Sequence, residues 1–447
     1  MSVTTDKTEA VDRFDEVTTG FLAHSKVTQA ALCACLEADE ELALAHAARG
    51  WFCLLLGQRR YKAPARESLT KARASQKARG TTSRESAFIE ALADALDDKP
   101  IAAADRLSRH IEREPLDALA VKLDHMLKFM SGNSAGMRSS MEAVIPAWEE
   151  ATPDCGYILG CYGFSLEETG DYRNAEIKGR RGVTIAPDDA WGWHAVAHVM
   201  EMQGRASEGV VWLKAFDDRL SRLNNFAFHV FWHRALFHLE LGQIDQALDL
   251  YDNGIRADRT DDFRDIANAA SLLMRLEFEK VDVGNRWEEL ADMSVSHVDD
   301  HTLAFADAHY MMALANAERR RAVGDMMTAV SEAGKGDGHG PSMMRAFSGP
   351  LMAGIAAFAS GDYAGSHEAL SMVRARLAAI GGSHAQRDVF EQMLIEAALR
   401  SGNRAAAQGL LHERLGRRPT NNWARRRLAA IEGPMHLGEG VTASAIA

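Results

Sequence analysis

The residues best placed to do chemistry crowd the middle of this 447-residue chain. His194, His198 and Glu201 stand at i, i+4 and i+7, a spacing that puts all three on one side of a helix. His229 and His233 repeat the i, i+4 pair some 35 residues later (229 − 194 = 35). Two imidazoles one turn apart suit a divalent metal such as zinc, whose bonds to nitrogen are about 2.0–2.1 Å. A neighbouring carboxylate, here Glu201, then orients a ligand or acts as a base. Without a metal, imidazoles near their ordinary pKa of ~6.5 serve as acid and base. The pattern HxxxH is loose and HExxH is absent. The four histidines and Glu201 are therefore candidates both for catalysis and, the histidines alone, for metal binding.

Further candidates surround them. Cys161 and Glu167 lie just upstream, where they could face the same histidines, and Trp191 offers an aromatic wall, with Trp193, Trp232 and Phe228. Asp265 and Asn268, following Arg264, open another helical pattern. In the cluster Asp299, Asp300, His301, Asp307 and His309, one of the first two aspartates is expected to cap a helix and His309 to face a ligand. In GGSHAQRD the glycines break the chain and Ser383 caps the next helix, leaving His384 and Arg387 to recognise an anion.

Helices must position all of these. Ala, Leu, Glu, Arg and Met dominate, Pro numbers only ten, and the inward pattern recurs at three and four, as in Ala118, Val121, His125, Met126 and Phe129. An all-α chain follows. Its segments align on glycines that close a first helix, Gly132, Gly170, Gly204 and Gly242, at spacings of 38, 34 and 38 residues. Gly57, Gly361 and Gly402 match, with Asp98, Lys280 and Gly324 as looser markers, giving about ten helical hairpins. Tyr172 or Tyr363 wedges into a hairpin, and Ala175, Gly209 and Ala247 let the second helix approach. This pattern resembles the tetratricopeptide repeat, near its 34-residue period, most closely over 150–255. The fold expected is an all-α, TPR-like α-solenoid whose first helices line a concave groove.

Along the whole chain, LALAHAARGWFCLLLG (Leu42–Gly57), DAWGWHAVAHVMEMQGR, FHVFWHRALFHLE, DFRDIANAASLLMRLE and GGSHAQRDVFEQMLIEAALRSG resemble the tetratricopeptide repeat protein 38 family. That resemblance implies one continuous helical-repeat domain and brings no reaction that transfers residue by residue. Tetratricopeptide domains that clamp chaperone tails use Lys, Asn and Arg at such groove positions. Histidine stands there in this chain, which argues against that partner.

The remaining expectations are broader. With 51 Lys and Arg against 63 Asp and Glu, the net charge of −12 argues against a nucleic-acid backbone partner. Arg414, Arg417, Arg418, Arg425, Arg426 and Arg427 read as a solvated capping end. No apolar stretch approaches the ~18 residues of a membrane span, and the polar start lacks a signal-peptide core. Five cysteines at irregular spacing read as free thiols in a reducing, cytoplasmic setting. Domain boundaries are expected at a flexible 1–20, a single repeat domain over 21–432 and a flexible tail over 433–447. Two functions compete: a solenoid whose His/Glu-lined groove binds a small anionic ligand or a peptide segment, or a hydrolase or lyase, metal-assisted or run by histidine acid–base chemistry, acting on a small molecule in an enclosed pocket.

Overall fold

A computed structural model describes residues 3–432, and the tail expected over 433–447 lies outside them. The chain is an all-α solenoid of TPR-like hairpins. These are α1 (Thr8–Leu22) with α2 (Thr28–Ala38), α3 (Ala43–Leu55) with α4 (Lys62–Arg79), α5 (Ser83–Leu96) with α6 (Pro100–Ile111), and α7 (Ala118–Met130) with α8 (Ser134–Val144). Next come α9 (Cys155–Glu167) with α10 (Tyr172–Ile185), α11 (Ala190–Met202) with α12 (Ala206–Lys214), α13 (Phe226–Glu240) with α14 (Ile244–Leu250), and α15 (Phe263–Phe278) with α16 (Arg286–Ser294). After α17 (Ala304–Asn316) and α18 (Arg320–Ala333), a short α19 (His339–Met343) leads into α20 (Gly349–Ala359) and α21 (Tyr363–Arg374). Finally α22 (His384–Arg400) pairs with α23 (Arg404–Arg417), and α24 (Asn422–Glu432) covers the end.

The glycine register holds because each first helix closes on a left-handed residue, where a Cβ is costly. Gly57, Gly132, Gly170, Gly204, Gly242, Gly361 and Gly402 all have positive φ, as do Asp98 and Lys280. Gly324 is a correction: it lies inside α18, and the left-handed position of that hairpin is Glu318 at φ 53°. A second correction concerns the N-terminus. Residues 8–22, within the segment expected to be flexible over 1–20, form α1 and bury Ala10, Phe14 and Val17; these apolar residues recur at i, i+4 and i+7 and pack against the hairpins that follow.

The superhelix is wound tightly enough that its second turn stacks on its first. Ser25, after α1, bridges to Leu223 before α13. Gly57, after α3, meets Phe263 and Leu303, and Asp98, after α5, accepts from the backbone N–H of Gly340 at 3.0 Å. A Cβ on Gly132, after α7, would lie 1.7 Å from the carbonyl oxygen of Ala378. Glu168, after α9, accepts from the N–H of His384 at 2.8 Å, and Glu201 on α11 pairs with Arg418 at 3.0 Å. The ends of the first helices thus form one continuous seam between turns. Among the described residues, the concave groove that the sequence pattern expects is narrowed along this seam to cavities between buried side chains.

That seam also explains the C-terminal arginines. Arg414 is buried and paired with Asp388, Arg418 with Glu201, Arg426 and Arg427 with Glu279. They knit the last helices onto the preceding turn rather than forming a free basic face. Among the described residues, no helix is long and apolar enough to cross a membrane, and all five cysteines are unpaired.

Candidate functional site

Helix α11 divides its residues between two faces. Trp193, Val196, Ala197 and Met200 pack into the hairpin core, where Trp193 stacks on Phe216 at 4.4 Å between ring centroids. His194 and His198 are left on the axial side. Helix α13 makes the same division: Trp232 is sealed in the core, and its indole N–H donates to Ser271 Oγ at 3.0 Å, while His229 and His233 turn inward. The two helices are neighbours, so four imidazoles converge.

Their geometry is specific. The Nε2 atoms of His198 and His194 lie 2.8 Å apart, those of His194 and His229 3.0 Å, and those of His229 and His233 3.2 Å. Four ligand atoms, one per histidine, fall within 4.8 Å of one another, and all four residues are buried. Each neutral Nε2 carries either one hydrogen or one lone pair. Three contacts in a row along four such atoms exceed what one hydrogen or lone pair apiece can satisfy. A cation at the centre accepts all four lone pairs at once, and a tetrahedron with bonds of 2.0–2.1 Å has edges of about 3.3 Å.

One outer nitrogen fixes the same state, and two others lie near carboxylates without a hydrogen bond to them. Nδ1 of His229 donates to Asn268 Oδ1 at 2.8 Å, which puts the lone pair on Nε2. Nδ1 of His233 lies 3.4 Å from Glu201 and Nδ1 of His198 lies 3.7 Å from Glu167. Carbonyl and carboxylate oxygens behind ligating imidazoles fix ring orientation and raise basicity. Burial pushes His194, His198 and His233 well below the usual imidazole range, helped by their mutual repulsion, and brings His229 down to about 4. All four are therefore neutral near pH 7, the form that binds a metal. Burial, then Glu168 and Glu201, push the Glu167 carboxyl well above its ordinary range.

A cavity of about 120 Å³ adjoins His194 and His229. Trp191, Phe226, Phe129, Phe263 and Phe305 line it together with aliphatic side chains such as Met126, Leu303 and Ile380, and Asp265 and Asn268 also face it. Asn225 donates to Asp265 at 3.2 Å. Burial, then the charge of Asp262, push Asp265 up to about 7. The Arg264 charge beside it is already met by Asp262.

The structure sorts the sequence candidates. His194, His198, His229 and His233 come together, with Glu167, Glu201 and Asn268 behind them and Trp191 and Asp265 in the cavity. Glu201 lies on the Nδ1 side of His233 and bonds Arg418, so it faces away from the space a ligand would occupy. Cys161 is not in the cluster. Its thiol sits 3.7 Å from Lys122 Nζ, and burial pushes it up to about 11. His309 gives Nδ1 to the carbonyl of Phe305 and packs on Phe390, away from the four histidines. His384 and Arg387 do meet an anion, but it is Glu168 of this chain, so they are part of the inter-turn seam. Neither Asp299 nor Asp300 caps α17: Asp299 pairs with Arg59 and Asp300 with His297. The wall is made by Phe226, not Phe228, and Trp193 and Trp232 belong to the core.

Sequence reasoning missed His24, Asn225 and the Gly381–Gly382 loop. His24 follows α1 at φ 54° and stacks between Trp191 and Phe226, with centroids at 5.5 and 4.3 Å. The apolar periodicity of 8–22 was the available signal, because a packed α1 must deliver its C-terminal residue somewhere inside.

Asp189, the residue before α11, supplies a test of how the helix is seated. Burial pushes its carboxyl up to about 7, with Lys122 offsetting part of this. The folded chain keeps a proton on Asp189 between roughly pH 4 and 7 that the unfolded chain has released, so this group makes stability fall as pH rises through that window. Asp189→Asn is expected to raise stability at pH 8 by on the order of 2–4 kcal/mol relative to its effect at pH 4. Thermal unfolding at both pH values checks it, and a pH-independent effect would refute it.

The class defined by fold and site is a closed helical-repeat solenoid with a buried cluster of four histidines. No family model matches the chain. Among solved structures it is similar to the human IFIT1 dimer with m7Gppp-AAAA, at 15% identity and a TM-score of 0.37 over 96% of each chain. It is also similar to yeast Tom70, at 14% and 0.38 over 96% of this chain and 89% of that one. The P58(IPK) TPR domain follows at 11% and 0.22 over 83% and 90%. Identities this low concern the fold alone.

Proposed function

We propose that this protein is a metal-dependent enzyme, a hydrolase or lyase, in which His194, His198, His229 and His233 hold one transition-metal ion beside an enclosed cavity for a small molecule. The observation that carries this reading is the convergence of four Nε2 atoms whose outer nitrogens face Asn268, Glu201 and Glu167. An all-imidazole set suits zinc, iron, copper or nickel. With four protein ligands in place, the ion would need to accept a fifth ligand from the cavity, and it would then polarise a bound oxygen or lower the pKa of a bound water. Asp265, with a pKa of about 7, is the proton carrier on the cavity side, the role the sequence pattern suggests for Glu201. Glu201 and Glu167 instead orient His233 and His198.

A groove for a peptide or small anion has less support. A cavity of about 120 Å³ is too small for a strand, and the nearby Arg264 charge is spent on Asp262. The resemblance to the tetratricopeptide repeat protein 38 family stays with the motifs that carry it. Five unpaired thiols support a reducing, cytoplasmic compartment.

Elemental analysis of natively purified, untagged protein tests the reading. About one equivalent of a transition metal per chain is expected, lost in the His194→Ala, His229→Ala double variant. A metal-free wild type that takes up no added zinc, iron, copper or nickel would end it.

A further inference from the structure

The cavity's own chemistry narrows the substrate. Its size, about 120 Å³, is close to the roughly 150 Å³ of an apolar cavity that admits benzene. Five Phe and Trp rings line it beside Leu, Met and Ile side chains, and Asn268 and the histidines bring polar groups. There Asn268 Nδ2 is a buried donor without a partner among the described residues, and its Oδ1 is committed to His229. His24 Nε2, also buried, is likewise unpartnered. Arg264 is neutralised by Asp262 and has Asp265 close by in the lining, so the side chains of the cavity offer an anion no free cation. Burying a carboxylate or phosphate there would carry a large desolvation penalty.

We infer that the substrate is an uncharged, single-ring aromatic molecule bearing one hydroxyl or carbonyl oxygen. The ring lies against Phe305 and the His24–Trp191–Phe226 stack, and the oxygen accepts from Asn268 Nδ2 at the histidine end. The direction of the oxygen towards a metal rests on the proposed function, whereas the ring-sized aromatic pocket does not. Aromatic rings favour offset or edge-to-face partners, so a flat ligand is preferred over an aliphatic one of equal size. An unpaired donor selects for a ligand oxygen, because leaving it unsatisfied forfeits the hydrogen bond.

Phenol, benzaldehyde, toluene, cyclohexanol and benzoate are titrated into the full chain, with binding read by tryptophan fluorescence and calorimetry. Metal content is measured on the same samples, and the titration is repeated after chelation. Phenol and benzaldehyde are expected to bind at least ~10-fold more tightly than toluene, cyclohexanol or benzoate. Leu303→Phe or Ile380→Phe, each filling the cavity from its wall without replacing a histidine, is expected to abolish binding and leave metal content unchanged. Benzoate binding as tightly as phenol, or no ring binding by metal-loaded protein, overturns the inference and leaves the metal centre standing. Ring binding by a protein that takes up no metal supports the pocket and overturns the proposed function instead.

Discussion

Chelation of the purified protein is expected to lower its stability by about 4 kcal/mol, the linkage term for an ion present at a thousand times its dissociation constant. The physical source is local. With the ion removed, buried neutral imidazoles face one another at 2.8–3.2 Å, with more contacts than hydrogens to fill them. His194 and His229 each make two of those three contacts, and His229 is also bonded to Asn268, so His194 is the residue to remove. His194→Leu is expected to bind no metal and to unfold at the same temperature with and without chelator. Wild-type protein that unfolds identically before and after chelation and after reloading would sink the metal assignment, whatever the variant does.

Gly132→Ala is expected to be among the most destabilising single-methyl additions in the chain, and Gly170→Ala is its control. Both positions have positive φ, 68° and 87°, so each alanine carries about 1–2 kcal/mol of left-handed backbone strain. At Gly170 nothing lies within 4 Å of the new Cβ. At Gly132 the methyl would meet the Ala378 carbonyl at 1.7 Å, which is backbone of the next superhelical turn. That carbonyl must move, adding at least about 2 kcal/mol, within the range of overpacked sites. Ala378 also leads into Ile380 and Gly381 of the cavity wall, so ligand binding should weaken with it. Denaturant midpoints of the two variants decide the matter. Equal losses at both sites would mean the turns do not bear on each other in solution.

Much of the site was legible because helix periodicity is local. The spacing of His194, His198, His229 and His233 within repeats whose glycine caps mark the register puts all four on the axial side of adjacent first helices. Asn268 and Asp265 follow from the same register one hairpin on. The roles of Glu201 and Arg387 were not legible, because each depends on a partner more than two hundred residues away: Arg418 for the first, Glu168 for the second. Arg387 was expected to recognise an anion, and it does, but the anion is the protein's own. Cys161 failed for a subtler reason. Its helix is buried on nearly all sides, so no periodicity tells which buried neighbour a thiol meets.

The amino-acid sequence by itself determined the helices, their hairpins, the residues that close them and the inward face of each first helix. These depend on interactions between residues three to about forty positions apart. Only the tertiary structure decided that the concave groove is narrowed to cavities and that His24, Phe305 and the Gly381–Gly382 loop complete a pocket beside the histidines. The small rotation between successive hairpins accumulates along the chain, and it is that sum, together with the side chains at the seam, that brings one turn down on another.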